Sequence, residues 1–213
     1  MTTLTDGERE ELRSTARSVL GREAADRWGQ IVDLGWTAIH VDEAAGGAGC
    51  GYADLAVVLH EIGRALLPSP FLASSVLADR ALAGDPRRSE LAAGGVVGTV
   101  ALASVDGSYE PARLTTRWAG DRVDGAAGFV LDADLAEVIV VAARDEGGTS
   151  AVLAVERGSV SLERTPTVDE TRRLFRVTFD AAEARHLCEP GPEAAGRVEQ
   201  VLALGVNAAA YDA

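Results

Sequence analysis

The stretch IHVDEAAGGAGCGYADLAVVL, residues 39–59, decides how the rest of the chain is read. A short apolar run meets a cluster of glycines, and apolar residues at helical spacing follow. The cluster is either a loop that cradles a phosphate or a turn that aims the next helix. A dinucleotide loop needs G-x-G-x-x-G between a strand and a helix. Gly47 and Gly49 supply the first pair, but the third position falls on Tyr52, with Gly51 one residue early. No alternation of strands and helices follows, so a parallel nucleotide-binding sheet is not implied. The turn is the favoured reading.

Working outward, residues 5–20 predict an amphipathic helix. Thr5 and Glu8 have capping-box spacing, and Leu12, Ala16, Val19 and Leu20 share one face. A second short helix is expected over residues 23–34, ending near Gly35. Beyond the glycines, Leu55, Val58, Leu59, Ile62 and Leu66 repeat at helical spacing until Pro68 and Pro70 stop them. One further helix is expected over residues 74–83, stopped by GDP. Residues 1–95 therefore read as an α-helical domain.

The period changes near residue 96. Seven short β-rich runs follow, separated by turn residues such as DG and EGG. In LFRVTF, Phe175, Val177 and Phe179 alternate with Arg176 and Thr178, as a half-buried strand requires. The spacing predicts a small antiparallel β-barrel or sandwich over residues 96–190. After the break CEPGP, helical spacing returns through Val198, Val201, Leu202 and Val206 over residues 191–213. The fold class is α+β. A single apolar helix after a break must fold back, bind another chain, or begin a further helical domain.

Composition narrows the function. The formal net charge of −13 repels nucleic acid and anionic membrane surfaces. All 20 basic residues are arginines, so no lysine Schiff base or P-loop lysine is available. Cys50 and Cys188 stand far apart, with neither metal-ligand spacing nor a disulfide framework, which fits a reduced cytoplasmic setting. The polar N-terminal stretch is unlike a signal peptide. No apolar run reaches the ~20 residues that a membrane helix needs. His40, His60 and His186 are scattered, and no nucleophile–histidine motif is present.

The segment LGWTAIHVDEAAGGAGCGYADLAVVLHEIGRALLPSPF resembles the N-terminal helical domain of acyl-CoA dehydrogenases. Glu43, Gly46, Gly47 and Gly49 agree with a family stretch of the form G-(W/F)-x-x-(L/I)-x-(V/I)-P-E-x-x-G-G-x-G, while Asp42 replaces its proline. The continuation EIGRALLPSPFLASSVL is similar to a divergent branch found as subunits of heteromeric acyl-CoA dehydrogenases. Three later stretches, beginning at Val100, Arg122 and Pro166, sit where the family carries its β-domain motifs. The resemblance covers essentially the whole chain.

It implies an FAD-dependent removal of the α and β hydrogens of an acyl thioester, carried by CoA or a carrier protein. It also implies homo- or hetero-oligomers formed through the C-terminal helix. In most of the family the catalytic glutamate comes from the C-terminal helical domain, of which this chain carries the first helix. No catalytic base can be named here, though Glu43 and Glu61 are available carboxylates. Glu61 is expected in a surface salt bridge. The flavin contacts carry over to Ala103, Ser104, Phe129 and Leu131, and an acyl-CoA contact to Ser108, followed by Tyr109 where the family has aspartate. Ala103 lacks the family's hydroxyl, so that contact is lost unless a backbone amide serves instead, and Leu131 lacks one too, which implies a weak or unused flavin site. Residue type alone would put Phe129 in the core and Ser108 in a turn. Asp169 and Arg172 read as a local structural pair. The alternative function is an FAD-free structural or acyl-binding subunit.

Overall fold

Thr5 starts the first helix as its spacing to Glu8 predicts. The computed structural model describes residues 3–22 and 24–212, with side chains as far as residue 210. Met1, Thr2, Glu23 and Ala213, which bound some of the expected segments, lie outside the described residues. In α1 (Asp6–Leu20), the Thr5 hydroxyl accepts from the Glu8 amide at 3.3 Å and the Glu8 carboxylate accepts from the Thr5 amide at 2.8 Å. Helix α2 (Arg27–Asp33) starts later than expected because Asp26 caps it, accepting from the Gly29 amide at 2.8 Å.

The glycine cluster is a turn. The amides of Ala48, Gly49 and Cys50 bond back to the carbonyls of Ala38, Val41 and Ile39. A Cβ at Gly47 would lie 2.0 Å from the Val41 oxygen, so glycine is required there for close backbone approach. Helix α3 (Tyr52–Arg64) follows. Its N-terminus is capped from within: buried Asp54 accepts from the Gly51 amide at 3.0 Å and from Arg9 Nε at 2.8 Å. A helix end already holding its own carboxylate does not present a phosphate site.

The next helix begins earlier than expected, as a π-helical turn Leu72–Ala78 running into α4 (Asp79–Ala81). GDP does more than stop that helix. Asp85 and Pro86 also start a helix, α5 (Arg87–Ala92), with Asp85 accepting from the Arg87 amide at 3.0 Å.

All seven expected strands form: β1 (Gly98–Ala101), β2 (Thr116–Ala119), β3 (Arg122–Leu131), β4 (Val138–Arg144), β5 (Ser150–Glu156), β6 (Val160–Thr165) and β7 (Leu174–His186). Strands β4, β2, β3, β7 and β5 pair in a closed ring, with β6 added on β7. Most pairings are antiparallel, as expected. Two run parallel, because β1 and then β2 lie along the same edge of β4. Strand β7 runs past the expected end at residue 179 by bending at Ala181 (φ 45°), whose amide donates to Asp124 at 2.7 Å.

Strand β4 is buried on both faces. Ile139, Val141 and Ala143 point into the barrel, while Val138, Val140 and Ala142 pack under the helices with Leu82, Leu91 and Val201. A strand covered on both sides reads as an unbroken apolar run, as EVIVVAAR does. Helix α6 (Pro192–Asp212) folds back over β5, α3 and the π-helical turn. Arg197 fixes it, donating to the carbonyls of Ala81, Ala83 and Leu187 at 3.1–3.2 Å.

Candidate functional site

Where α6 crosses the barrel it leaves a cavity of about 380 Å³. Val100, Leu102 and Ala103 line it from β1 and the segment after it, and Gly128, Phe129 and Leu131 from β3. Leu72 and Leu77 come from the π-helical turn, and Val201, Leu202, Gly205, Val206 and Ala209 from α6. Tyr109, on the loop between β1 and β2, completes the lining. The α6 contribution follows from its period: residues 201, 202, 205 and 206 fall on one helical face.

Three of the sequence-predicted residues, Ala103, Phe129 and Leu131, meet on this wall. The other two do not. Ser104 is buried behind it, bonded to the Asp106 carboxylate and accepting from the Ser108 amide at 3.1 Å. The Ser108 hydroxyl accepts from the Glu110 amide at 3.2 Å. Both hydroxyls shape the loop, which agrees with the turn expected at Ser108.

Phe129 departs from the core position that residue type suggests. It sits at a bulge in the β3–β7 pairing with φ 55° and remains 45% exposed. The bulge turns its ring out of the barrel and against Gly107, where a Cβ would lie 3.2 Å from Phe129 Cε2. Asp132, three residues on, also has positive φ (47°).

The wall is a poor partner for FAD. A flavin ring carries carbonyl and ring-nitrogen groups along one edge, and burying these unpaired is costly. Positions 103 and 131 present methyl-bearing side chains. The carbonyls at both positions are already used, Ala103 O by the Gly128 amide at 3.2 Å and Leu131 O by the Thr99 hydroxyl at 2.6 Å. Among the described residues, Tyr109 is the one lining side chain with a hydrogen-bonding group. Apart from Tyr109, these side chains give the cofactor's polar edge no hydrogen bond.

Among the described residues no carboxylate lines the cavity, so this wall offers no base. Glu43 is exposed on a turn. Glu61 is in a salt bridge, as expected, but is fully buried rather than at the surface. Its oxygens meet Arg17 at 2.7 and 3.1 Å and Arg64 at 2.7 Å. Hydrogen bonding from Arg17 lowers its pKa to about 2 against the opposing effect of burial, with Arg64 assisting. At the end of β3, by contrast, burial pushes Asp132 up to about 6; Arg173 opposes the rise and Asp134 adds to it. His40 is buried against Asp79 (2.9 Å), His60 is exposed, and His186 contacts the Gly120 carbonyl at 3.0 Å. The Arg172 amide donates to the Asp169 carbonyl at 3.4 Å, in keeping with a local structural pair.

Sequence reasoning missed Asp132 and the role of Tyr109. Tyr109 had left a signal, an aromatic in place of the family's aspartate. The burial of Asp132 left none.

Comparison with known proteins agrees with this architecture. The family described as "Acyl-CoA dehydrogenase, N-terminal domain" matches residues 6–84. The acyl-CoA dehydrogenase IpdE2 of Mycolicibacterium smegmatis is 31% identical over 79% of this chain and 45% of its own length. The acyl-CoA dehydrogenase FadE28 of Mycobacterium tuberculosis is 31% identical over 96% of this chain and 60% of its own. Among solved structures, the Tcur3481-Tcur3483 steroid ACAD G363A variant superposes with a TM-score of 0.81 at 25% identity, over 97% of this chain and 62% of that one. The chain belongs to the acyl-CoA dehydrogenase family. It spans 45–60% of the length of the curated relatives it matches.

Proposed function

We propose that the chain is a component of an acyl-CoA dehydrogenase that removes the α and β hydrogens of an acyl thioester, and that it acts with a partner chain in the cytoplasm. The observation that carries this reading is the cavity wall, which among the described residues is apolar throughout except for Tyr109 and without a carboxylate. Such a wall can hold hydrocarbon and exclude water. It cannot take the α proton, and it does not satisfy a flavin's polar edge. A partner is therefore assigned the base and most of the cofactor contacts. The cavity-facing side of α6, whose lining residue Val206 is still 75% accessible, is the surface proposed to meet it. FAD is the cofactor expected of the assembled enzyme, in which it would accept the β hydride.

Ala103 and Leu131 favour a second reading, an FAD-free subunit that only binds the acyl group or supports its partner. One experiment separates the two. The chain is purified alone and after co-expression with a full-length acyl-CoA dehydrogenase from the same organism, FAD is added, and visible spectra are taken after gel filtration. The first reading expects no flavin band from the chain alone, and in the complex a band that octanoyl-CoA bleaches. A complex whose flavin content and bleaching match those of the full-length enzyme alone would favour the second. A flavin band retained by the isolated chain would overturn the assignment of cofactor contacts to the partner.

A further inference from the structure

The cavity has a buried apolar body and an exposed end that carries Tyr109, Phe129 and Val206. Leu72, Leu102 and Leu131 lie within it, whereas Tyr109 and Phe129 are 52% and 45% exposed. The loop that carries Tyr109 is held in shape. Asp106 accepts from the Ser108 amide at 3.2 Å, Ser104 and Arg113 bond to the Asp106 carboxylate, and Gly107 (φ 84°) receives the Phe129 ring. The Tyr109 hydroxyl has no hydrogen-bond partner among the described residues. A tyrosine placed in this way buries its ring against hydrocarbon and leaves its hydroxyl free at the entrance.

From this arrangement we infer that Tyr109 is a specificity-determining residue: it closes the hydrocarbon cavity and hydrogen-bonds an oxygen that the ligand carries at the entrance. The ligand class is an apolar body with one oxygen function at its end. Elsewhere the wall accepts no further polar group, because any such group would be buried without a partner. The inference takes its substrate class from the acyl thioester reading and names the side chain that selects within that class.

The test uses octan-1-ol and decan-1-ol, titrated calorimetrically into the isolated chain, so it requires neither flavin nor partner. Saturable 1:1 binding is expected, with decan-1-ol about fourfold tighter per added methylene. Tyr109→Phe keeps the ring and removes the hydroxyl. It should weaken both alcohols about five- to tenfold while leaving the chain-length increment unchanged. Tyr109→Ala should weaken them further by opening the mouth. Absence of saturable binding, or equal affinity of wild type and Tyr109→Phe, would overturn the inference. Because the flavin experiment uses different ligands, either result can fail while the other stands.

Discussion

Two buried carboxylates, each facing arginine, are shifted in opposite directions. Glu61 on α3 receives two bonds from Arg17 and one from Arg64, and lies far below the usual carboxylate range. Asp132 at the end of β3 receives one bond from Arg173, at 3.1 Å, and that arginine also serves Asp134 at 3.0 Å. Burial therefore wins at Asp132 and loses at Glu61. The lesson is that an arginine nearby does not fix the charge of a buried acid; the number of direct bonds set against desolvation does. Glu61 locks α1 to α3. Asp132 sits one residue beyond the cavity wall and holds its proton up to about pH 6.

The largest effect is expected where the bonds are most numerous. Glu61→Ala should destabilise the chain by about 3 kcal/mol at pH 7, less than the loss of a fully buried pair because Arg17 and Arg64 are half exposed and turn to water. Its folded pKa lies below the unfolded value, so the stabilisation is present above about pH 4.5 and is lost as pH falls toward about 2. Urea unfolding at pH 7 and pH 3 checks this; a wild-type advantage that is no smaller at pH 3 would break the comparison.

Asp132→Asn should act in the opposite direction. The folded pKa lies above the unfolded one, so the ionised group weakens the fold progressively as pH rises from about 3.8 to about 6. At pH 7 the variant should be more stable by about 1–2 kcal/mol, the loss of attraction to Arg173 offsetting part of the gain. Near pH 3.5 the difference should vanish. Unfolding midpoints at the two pH values decide it, and a destabilised variant at pH 7 would show that Arg173 dominates. The smallest stability effect is expected at Val206→Ser, within about 0.5 kcal/mol of wild type, because the side chain is exposed. The same substitution should weaken the complex with a full-length partner in gel filtration; unchanged association would move the interface off this face of α6.

Much of the fold was legible in the sequence. The Thr5–Glu8 box and the alternation in β7 each express a local period, and each formed as read. The π-helical start at Leu72 and the helix begun by Asp85 and Pro86 were less legible, because proline and aspartate stop one helix and start another with the same chemistry. Of the candidate site, Ala103, Phe129 and Leu131 were found by motif order. The outward turn of Phe129 was not, since it depends on a bulge in the pairing of β3 with a strand more than forty residues away.

The sequence by itself determined the helical and β-rich regions, the glycine turn that aims α3, and the absence of a side-chain hydroxyl at positions 103 and 131. These are properties of single residues and short periods. Only the tertiary structure decided that α6 folds back to roof a cavity, that Tyr109 stands at its mouth, and that Glu61 and Asp132 hold their protons so differently. Those outcomes depend on which distant groups share a buried volume, and desolvation acts on that volume rather than on neighbours along the chain.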